Sequence, residues 1–442
     1  MELNKTKGFL HTHTERSRMD SGARFADIAK KAKELGADTV AVTDHGVLSG
    51  IEDAKIAFRA QGVKLIPGVE AYVEEDEESL TKRMHLILLA KDDIGYKAIC
   101  KAVTESNKRL RGTFKAPCMN KDILHKYFGK GQMGHNHVFT TSACIGGVIN
   151  SILLLNDKIK KEEQKLINKK NNIAVSEEMI ADTKKMIKDS SDKIIKLKEA
   201  KAETERIAKR TFKKRENQLA KITDPDEYNE FLKVLNDDKE ESKKAAEKLL
   251  ILRNDIKTEK TRLTKNNNAL KDLLEKMKKY TLITQKIQAL HYYSEDELYA
   301  KAKAEALNYQ NIFGKQHFLL EIQYHGIDAE KYAMPIIAKI AKDTNIPLIA
   351  ANDSHMVSGT DKERLQRQLL RSLAYGKFEE EIPGDSELYM KSNEELLQWL
   401  SKIIPRDEAI GAINNIDIIC NACNVEFKHE DHYPKFASYN GE

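Results

Sequence analysis

The sequence predicts an α/β protein, a parallel sheet or barrel with helices outside it, into which a long antiparallel helical hairpin is inserted. Three observations carry this reading. From Lys7 to about Glu74 short apolar runs alternate with amphipathic segments, the pattern of strands joined by helical crossovers. The same alternation resumes near Ser294. Between them, from Asp157 to Leu290, glycine disappears and apolar residues recur every seven positions, the repeat of a coiled coil.

In order, Phe9 to His11 reads as the first strand. A helix follows over Arg24 to Leu35, with Phe25, Ile28, Ala29 and Ala32 on one face and Gly36 ending it. Thr39 to Val42 is a short buried strand, Gly50 to Gln61 a second helix, and Val63 to Ile66 leads through Pro67-Gly68 into Val69 to Tyr72. Met84 to Leu89 and Val138 to Thr141 are further strands, with a helix from Ile94 to Ser106 between them. After the hairpin come a helix from Ser294 to Phe313, a strand from His317 to Gln323, a helix from Ala329 to Asp343 and a strand from Pro347 to Ala351. Helices over Asp361 to Tyr375 and from Asn393 onward close the chain.

In the hairpin, Ile159, Leu166, Ile173, Ile180, Ile187 and Ile194 mark one arm, and Leu249, Ile256, Leu263, Leu270 and Met277 mark the other. The break falls at Thr223-Asp224-Pro225-Asp226, where proline ends a helix. Arms of about 65 residues would each reach on the order of 100 Å. The expected organisation is residues 1–156 and 291–442 as one globular part, with 157–290 inserted in it.

With 442 residues, a net charge of +5 and a pI near 8.6, the chain is large enough for two or three structural units, and its charge is compatible with nucleic acid without demanding it. No apolar run approaches the roughly 20 residues of a membrane helix, and Met1-Glu2-Leu3-Asn4-Lys5 does not open a signal peptide. Five cysteines form no disulfide framework, so a reducing cytoplasm is expected. Cys420 and Cys423, followed by His429 and His432, read as core thiols rather than a zinc site.

Chemistry gathers where strands end. His11 and His13, two apart along a strand, share one face, and imidazole is a common ligand for zinc, iron and similar ions. Asp44, His45 and Glu70 follow the next strands, His85 begins another, and Asp353 and His355 follow the last. Active residues of such folds sit at the carboxyl ends of strands.

The stretches FLHTHTERSRMDSGARFADIAKKAKELGADTVAVTDHGVLSGI, VKLIPGVEAYV, HLILLAKDDIGYKAI, TTSACIGGVI, FLLEIQYHG and IPLIAANDSHMV resemble the PHP (polymerase and histidinol phosphatase) domain. The likeness is greatest to the version that opens bacterial DNA polymerase III alpha subunits. The resemblance implies a distorted (β/α)7 barrel with three divalent metal ions (Mn, Zn or Fe) at its mouth. It implies His11, His13, Asp20, His45, Glu70, His85, Cys144, Asp353 and His355 as ligands, with Glu70 bridging and Glu70, Asp353 and His355 as the catalytic core. Asp44 is expected to orient its neighbour, and His325 to support the cluster or touch substrate. Where the polymerase branch often has Lys-Pro-Arg-Ile-Asp, this chain has Ala116-Pro117-Cys118-Met119-Asn120, without the arginine suited to phosphate.

The implied activity is metal-assisted phosphoester hydrolysis, most concretely a 3′–5′ exonuclease on single-stranded DNA or 3′ ends. The alternatives are a replication scaffold, a portion of a split or truncated polymerase, or a phosphatase of the histidinol phosphatase type. The hairpin is expected to dock a polymerase or another replication protein. The resemblance stops near His432, and no polymerase carboxylates follow, so the chain alone is expected not to synthesise DNA.

Overall fold

The computed structural model describes residues 1–74, 83–108, 117–219, 221–223, 225–376 and 384–427. His429, His432 and Ala116 lie outside the described residues. The chain divides into two compact units, one made of Met1–Ile159 and Tyr292–Glu442, the other of Lys160–His291.

The first unit is a mixed α/β structure built on a curled sheet. Its elements begin with β1 (Gly8–Phe9), α1 (Phe25–Glu34), β2 (Thr39–Val42), α2 (Ile51–Ala60), β3 (Lys64–Val73), β4 (Met84–Ala90), α3 (Asp93–Lys108), β5 (Cys118–Met119), α4 (Lys121–Phe128), β6 (Val138–Thr141) and α5 (Val148–Leu153). The second unit is helical: α6 (Leu155–Asn171), which begins in the first unit, α7 (Glu177–Leu219) and α8 (Pro225–Gln288). The chain then returns through α9 (Glu295–Phe313), β7 (Phe318–Ile322), α10 (Asp328–Thr344), β8 (Leu348–Ala350), α11 (Asp361–Tyr375), α12 (Asn393–Leu400), α13 (Arg406–Asn414) and α14 (Ile416–Ala422).

The sheet runs in the order β1-β2-β3-β4-β6-β7-β8, with β5 added beside β3. At the carboxyl ends of its two edge strands, Thr12 bridges Ser354, His13 N–H donates to Ser354 O at 2.8 Å, and Ser354 N–H donates to His11 O at 3.1 Å. The two edges therefore meet just where the histidines sit. The strands are apolar nearly throughout, as expected of strands covered on both faces; β4 is buried from Leu86 to Ala90.

Three expectations need correction. The sheet is not wholly parallel, because β4 runs antiparallel to both β3 and β6. Only ten residues, 74–83, separate β3 from β4, too few for the helical crossover that a parallel neighbour needs. Second, β3 is one strand through Pro67-Gly68, which places Glu70 in mid-strand, while β1 ends at Phe9, short of His11. Third, the first hairpin arm is broken. Asn171-Asn172 ends α6, and Ser176 opens α7 by accepting the Met179 N–H at 3.1 Å.

Within the second unit α7 and α8 pack antiparallel, with Ile180, Thr183, Ser190, Ile194 and Thr204 buried on α7 and Leu252, Glu259 and Leu273 on α8. Among the described residues α7 ends at Leu219 and α8 begins at Pro225, the proline that the sequence marks. No helix among the described residues is long and apolar enough to cross a membrane.

The chain leaves and re-enters the first unit at one clamp: the Asn156 amide donates to Tyr293 O at 2.7 Å and accepts the Tyr293 N–H at 3.0 Å. Replacing residues 160–291 by a short Gly/Ser linker therefore preserves the first unit. Its thermal transition is expected to stay cooperative, with a midpoint within about 5 °C of the full chain; a non-cooperative melt would show that the first unit depends on the second.

Candidate metal centre

Nine side chains from separate segments converge at one end of the curled sheet. His11 and His13 follow β1 and are buried. Glu70 lies in mid-β3, and His45, after β2, bridges to it. Because β4 is reversed, His85, the second residue of that strand, lies at the same end, paired across from Tyr72. Cys144 follows β6, and Asp353 and His355 follow β8.

The buried Glu70 carboxylate is the hub. Its Oε1 is 2.8 Å from His85 Nδ1 and 3.5 Å from His11 Nε2. Its Oε2 is 2.7 Å from His45 Nδ1 and 3.3 Å from His13 Nε2. Cys144 Sγ is 3.6 Å from Glu70 Oε1 and 3.3 Å from His85 Nδ1. Asp353 Oδ1 forms a second focus, 3.1 Å from His11 Nε2, 3.4 Å from His13 Nε2 and 3.2 Å from His355 Nε2. Asp20 Oδ2 sits 3.0 Å from His45 Nε2 and 3.3 Å from His355 Nδ1.

Short as these separations are, six of the atoms have no hydrogen bond of acceptable geometry: His11 Nε2, His13 Nε2, His45 Nδ1, Glu70 Oε2, Asp353 Oδ1 and His355 Nδ1. Buried polar atoms are normally satisfied. Here the orphans face one another, which is how ligand atoms sit around a cation. Donor atoms fall within 4.8 Å of one another in three overlapping groups: His11–His13–Glu70, His13–His45–His355 and His45–Glu70–His85. This set of imidazoles and carboxylates fits divalent metal ions.

Electrostatics agree with that fit. Burial opposes ionisation of Glu70, yet His85, His45 and His11 keep its pKa well below the usual carboxylate range. Burial also opposes charge on His11, but Asp353, Glu321 and Glu70 outweigh it and hold its pKa well above the ordinary imidazole value. Burial, with Arg367 beside it, pushes His355 down to about 3, so that ring is a neutral donor. Burial, reinforced by Glu70 and Asp353, drives the Cys144 thiol well up. Protonated imidazoles balance buried carboxylates here, a role that a divalent cation can take over.

The backbone is strained at this end. Asp353 has φ 46°, and Met19 and Ala143, which precede Asp20 and Cys144, have φ 66° and 58°. Non-glycine residues in the left-handed region carry a cost and gather at functional sites.

Asp44 points away from the cluster. Its Oδ1 accepts from Thr14 N and Ser17 Oγ, both at 2.7 Å, and its Oδ2 accepts from Thr14 Oγ1 at 2.8 Å. Ser17 Oγ is also 2.9 Å from His13 Nδ1, so Asp44 fixes the ring of His13 rather than that of its neighbour His45. His325 has both ring nitrogens engaged, Nδ1 with Glu330 Oε1 at 2.8 Å and Nε2 with Asn352 O at 3.0 Å. It braces the turn that carries Asp353.

Two supporting residues escaped sequence reasoning. Glu321, buried in β7, meets His11 Nδ1 at 2.7 Å, accepts from the Thr141 hydroxyl, and its N–H donates to Ser142 Oγ at 2.9 Å. This turns His11 Nε2 toward Glu70, as outer carboxylates do for metal-binding histidines. An acid inside the apolar run Phe318-Leu319-Leu320-Glu321-Ile322 was the available signal. Arg367, buried on α11, donates through Nη1 to Asp20 O and to Asp20 Oδ1 at 3.1 Å, and through Nη2 to Asp385 Oδ1 at 3.3 Å. Nothing in the helical pattern around Arg367 announces that role.

Glu321→Gln is expected to weaken manganese binding about 10- to 100-fold with the fold retained, read by calorimetric titration and circular dichroism; an unchanged affinity would show that Glu321 orients nothing. Arg367→Met leaves Asp20 unclamped and is expected to cost about 2–3 kcal/mol, read as a shift of the urea midpoint. A midpoint equal to wild type would refute the clamp.

A family model for the PHP domain matches residues 10–189. DNA polymerase III subunit alpha of Borreliella burgdorferi is 39% identical over 155 residues, covering 33% of this chain and 13% of that protein. The same subunit is 35% identical over 162 residues in Helicobacter pylori, covering 36% of this chain and 13% of that protein. In Aquifex aeolicus it is 34% identical over 173 residues, covering 36% and 14%. The matched part is thus about 13% of these relatives' length. A solved structure titled a metal-dependent phosphoesterase, from Bifidobacterium adolescentis, aligns at 23% identity over 25% of this chain and 36% of that one, with a TM-score of 0.20, too slight a superposition to support an argument. Residues 10–189 thus match the PHP domain, and over the matched third of its length the chain is similar to DNA polymerase III alpha subunits.

Proposed function

We propose that this chain is a metal-dependent phosphoesterase acting on DNA, most concretely as a 3′–5′ exonuclease in replication or repair. The observation that carries the reading is the convergence of nine donor side chains, Glu70 and Asp353 at their foci, with six of their polar atoms buried and facing one another without hydrogen bonds. In this reading His11, His13, Asp20, His45, Glu70, His85, Cys144, Asp353 and His355 would hold three divalent ions. Bound there, the ions would supply Lewis acidity toward a phosphoester and activation of water.

The chain's own residues explain how a substrate would be received. The side chains of His11, His13 and Glu70 are at most 1% exposed, whereas His45, His85 and Asp20 are 16%, 21% and 28% exposed. A phosphoester therefore reaches the centre from the side of the last three. Tyr72 forms a wall there, its ring stacked on His45 at 5.6 Å and edge-on to His85 at 5.4 Å. Arg367, Glu321 and Asp44 hold Asp20, His11 and His13 in place. That orientation is fixed before substrate arrives, which is how positioning lowers a barrier. Similarity to polymerase subunits supports DNA as the polymer. A cytoplasmic setting and a replication partner for the hairpin belong to the same reading.

Wild-type protein with Mn²⁺ is expected to shorten 5′-labelled single-stranded DNA stepwise from its 3′ end and to act on frayed primer ends. The doubly substituted Asp353→Ala, His355→Ala protein is expected to lose at least about 100-fold of that rate. Turnover of p-nitrophenyl phosphate alone would move the reading to a small-molecule phosphatase. No turnover of any substrate by metal-loaded wild type would leave a scaffold.

A further inference from the structure

Charge is divided unevenly along the chain. Residues 160–291 carry thirty-four Lys and Arg against twenty-four Asp and Glu, while the rest of the chain carries forty against forty-five. The helical unit is therefore +10 and the sheet-bearing unit −5. Within the helical unit the excess is concentrated again. Segments 184–198 of α7 and 253–271 of α8 hold twelve cations and four carboxylates, which leaves the rest of that unit at only +2.

The two segments lie side by side. Lys193 Nζ on α7 reaches Glu259 Oε2 on α8 at 3.1 Å, and Glu259 is buried in the seam between the helices. One of the four carboxylates is thus withdrawn from the surface. The band extends about 28 Å along α8 at 1.5 Å per residue. Arg253, Lys257 and Lys260 recur at i, i+4 and i+7 and line one shallow groove with Thr261 and Thr264; Lys271 continues the same face.

Flanking parts of the hairpin have a different surface. There lysines pair with carboxylates one turn away, as in Lys201–Glu205, Lys276–Asp272 and Lys279–Glu275. Such pairs neutralise a helix face. Among the described residues no carboxylate lies within ion-pair distance of Arg253, Lys257, Lys260 or Lys271. A row of exposed cations of one sign repels itself and gains by meeting a polyanion.

We propose that the middle of the hairpin is a nucleic-acid-binding surface that grips the phosphate backbone, separate from the metal centre. A 28 Å band matches roughly eight base pairs of duplex at 3.4 Å per step, and contacts of this kind carry affinity without reading sequence.

The test uses the full-length protein in EDTA, so that binding is measured without catalysis. Fluorescence anisotropy of a labelled 20-nucleotide single strand and of the matching duplex is followed across a salt series. The triple reversal Arg253→Glu, Lys257→Glu, Lys260→Glu is compared with Lys243→Glu, Lys244→Glu, Lys248→Glu, which changes the total charge equally outside the band; circular dichroism confirms helix content in both. The band variant is expected to bind at least tenfold more weakly and to lose about 2 to 3 from the slope of log K against log salt, while the other variant stays within twofold of wild type. Equal weakening by both variants, or by neither, overturns the proposal. So does displacement of DNA by polyglutamate as effectively as by unlabelled DNA, which would make the surface one for acidic proteins. DNA binding through the band in a protein that turns over no phosphoester would sink the phosphoesterase reading and leave this one standing.

Discussion

A carboxylate at the centre of a protein has to be surrounded by compensating groups, because burying an unpaired charge is far more costly than any single contact returns. Glu70 is fully buried and stays ionised, and four imidazoles and a thiol are arrayed around it. Much of this end of the molecule follows from that requirement. The first and last strands meet through the Thr12–Ser354 bridge, which sets His11 and His13 against Asp353 and His355. The strained backbone at Asp353 is held by His325 through the carbonyl of Asn352. An arrangement this dense in charge needs support from behind: Glu321 fixes His11, Ser17 and Asp44 fix His13, and Arg367 fixes Asp20.

The reversed strand shows how topology serves the same end. In an all-parallel sheet the start of β4, where His85 sits, would lie at the end away from the cluster. Turning β4 around brings His85 beside Tyr72 and within 2.8 Å of Glu70. A ligand at the start of one strand thereby joins ligands that follow other strands. The helical unit is organised by a different economy: a narrow seam of isoleucine, leucine and threonine holds α7 to α8, and the outward faces are left to charge. Its cations are dense in the middle of the hairpin and matched by carboxylates on either side, so the long helices present a charged band rather than an even coat.

Several features were legible in the residues alone because they rest on local rules. The helix over Asp361–Tyr375 appears with the predicted ends, capped by Thr360, and the Ser294 capping box opens α9 at the residue expected. Proline marks the hairpin turn. The histidines stand out because residues two apart on a strand share one face and imidazole is a common metal ligand. Harder to see was the break between α6 and α7, since the apolar spacing continues through Ile173 while two asparagines and Ser176 cap in the middle of it.

By itself the sequence determined the alternation of strands and helices, the long hairpin and the identity of the candidate donors, since periodicity and residue chemistry are properties of neighbours along the chain. Only the tertiary structure decided which donors face which. It reversed β4, placed Glu70 in mid-strand, aimed Asp44 at Ser17 rather than at the cluster, and set Arg367 against Asp20 across 347 residues of sequence. The physical reason is that a hydrogen bond or a ligand contact depends on where side chains meet in space, and for residues this far apart no local pattern encodes that meeting.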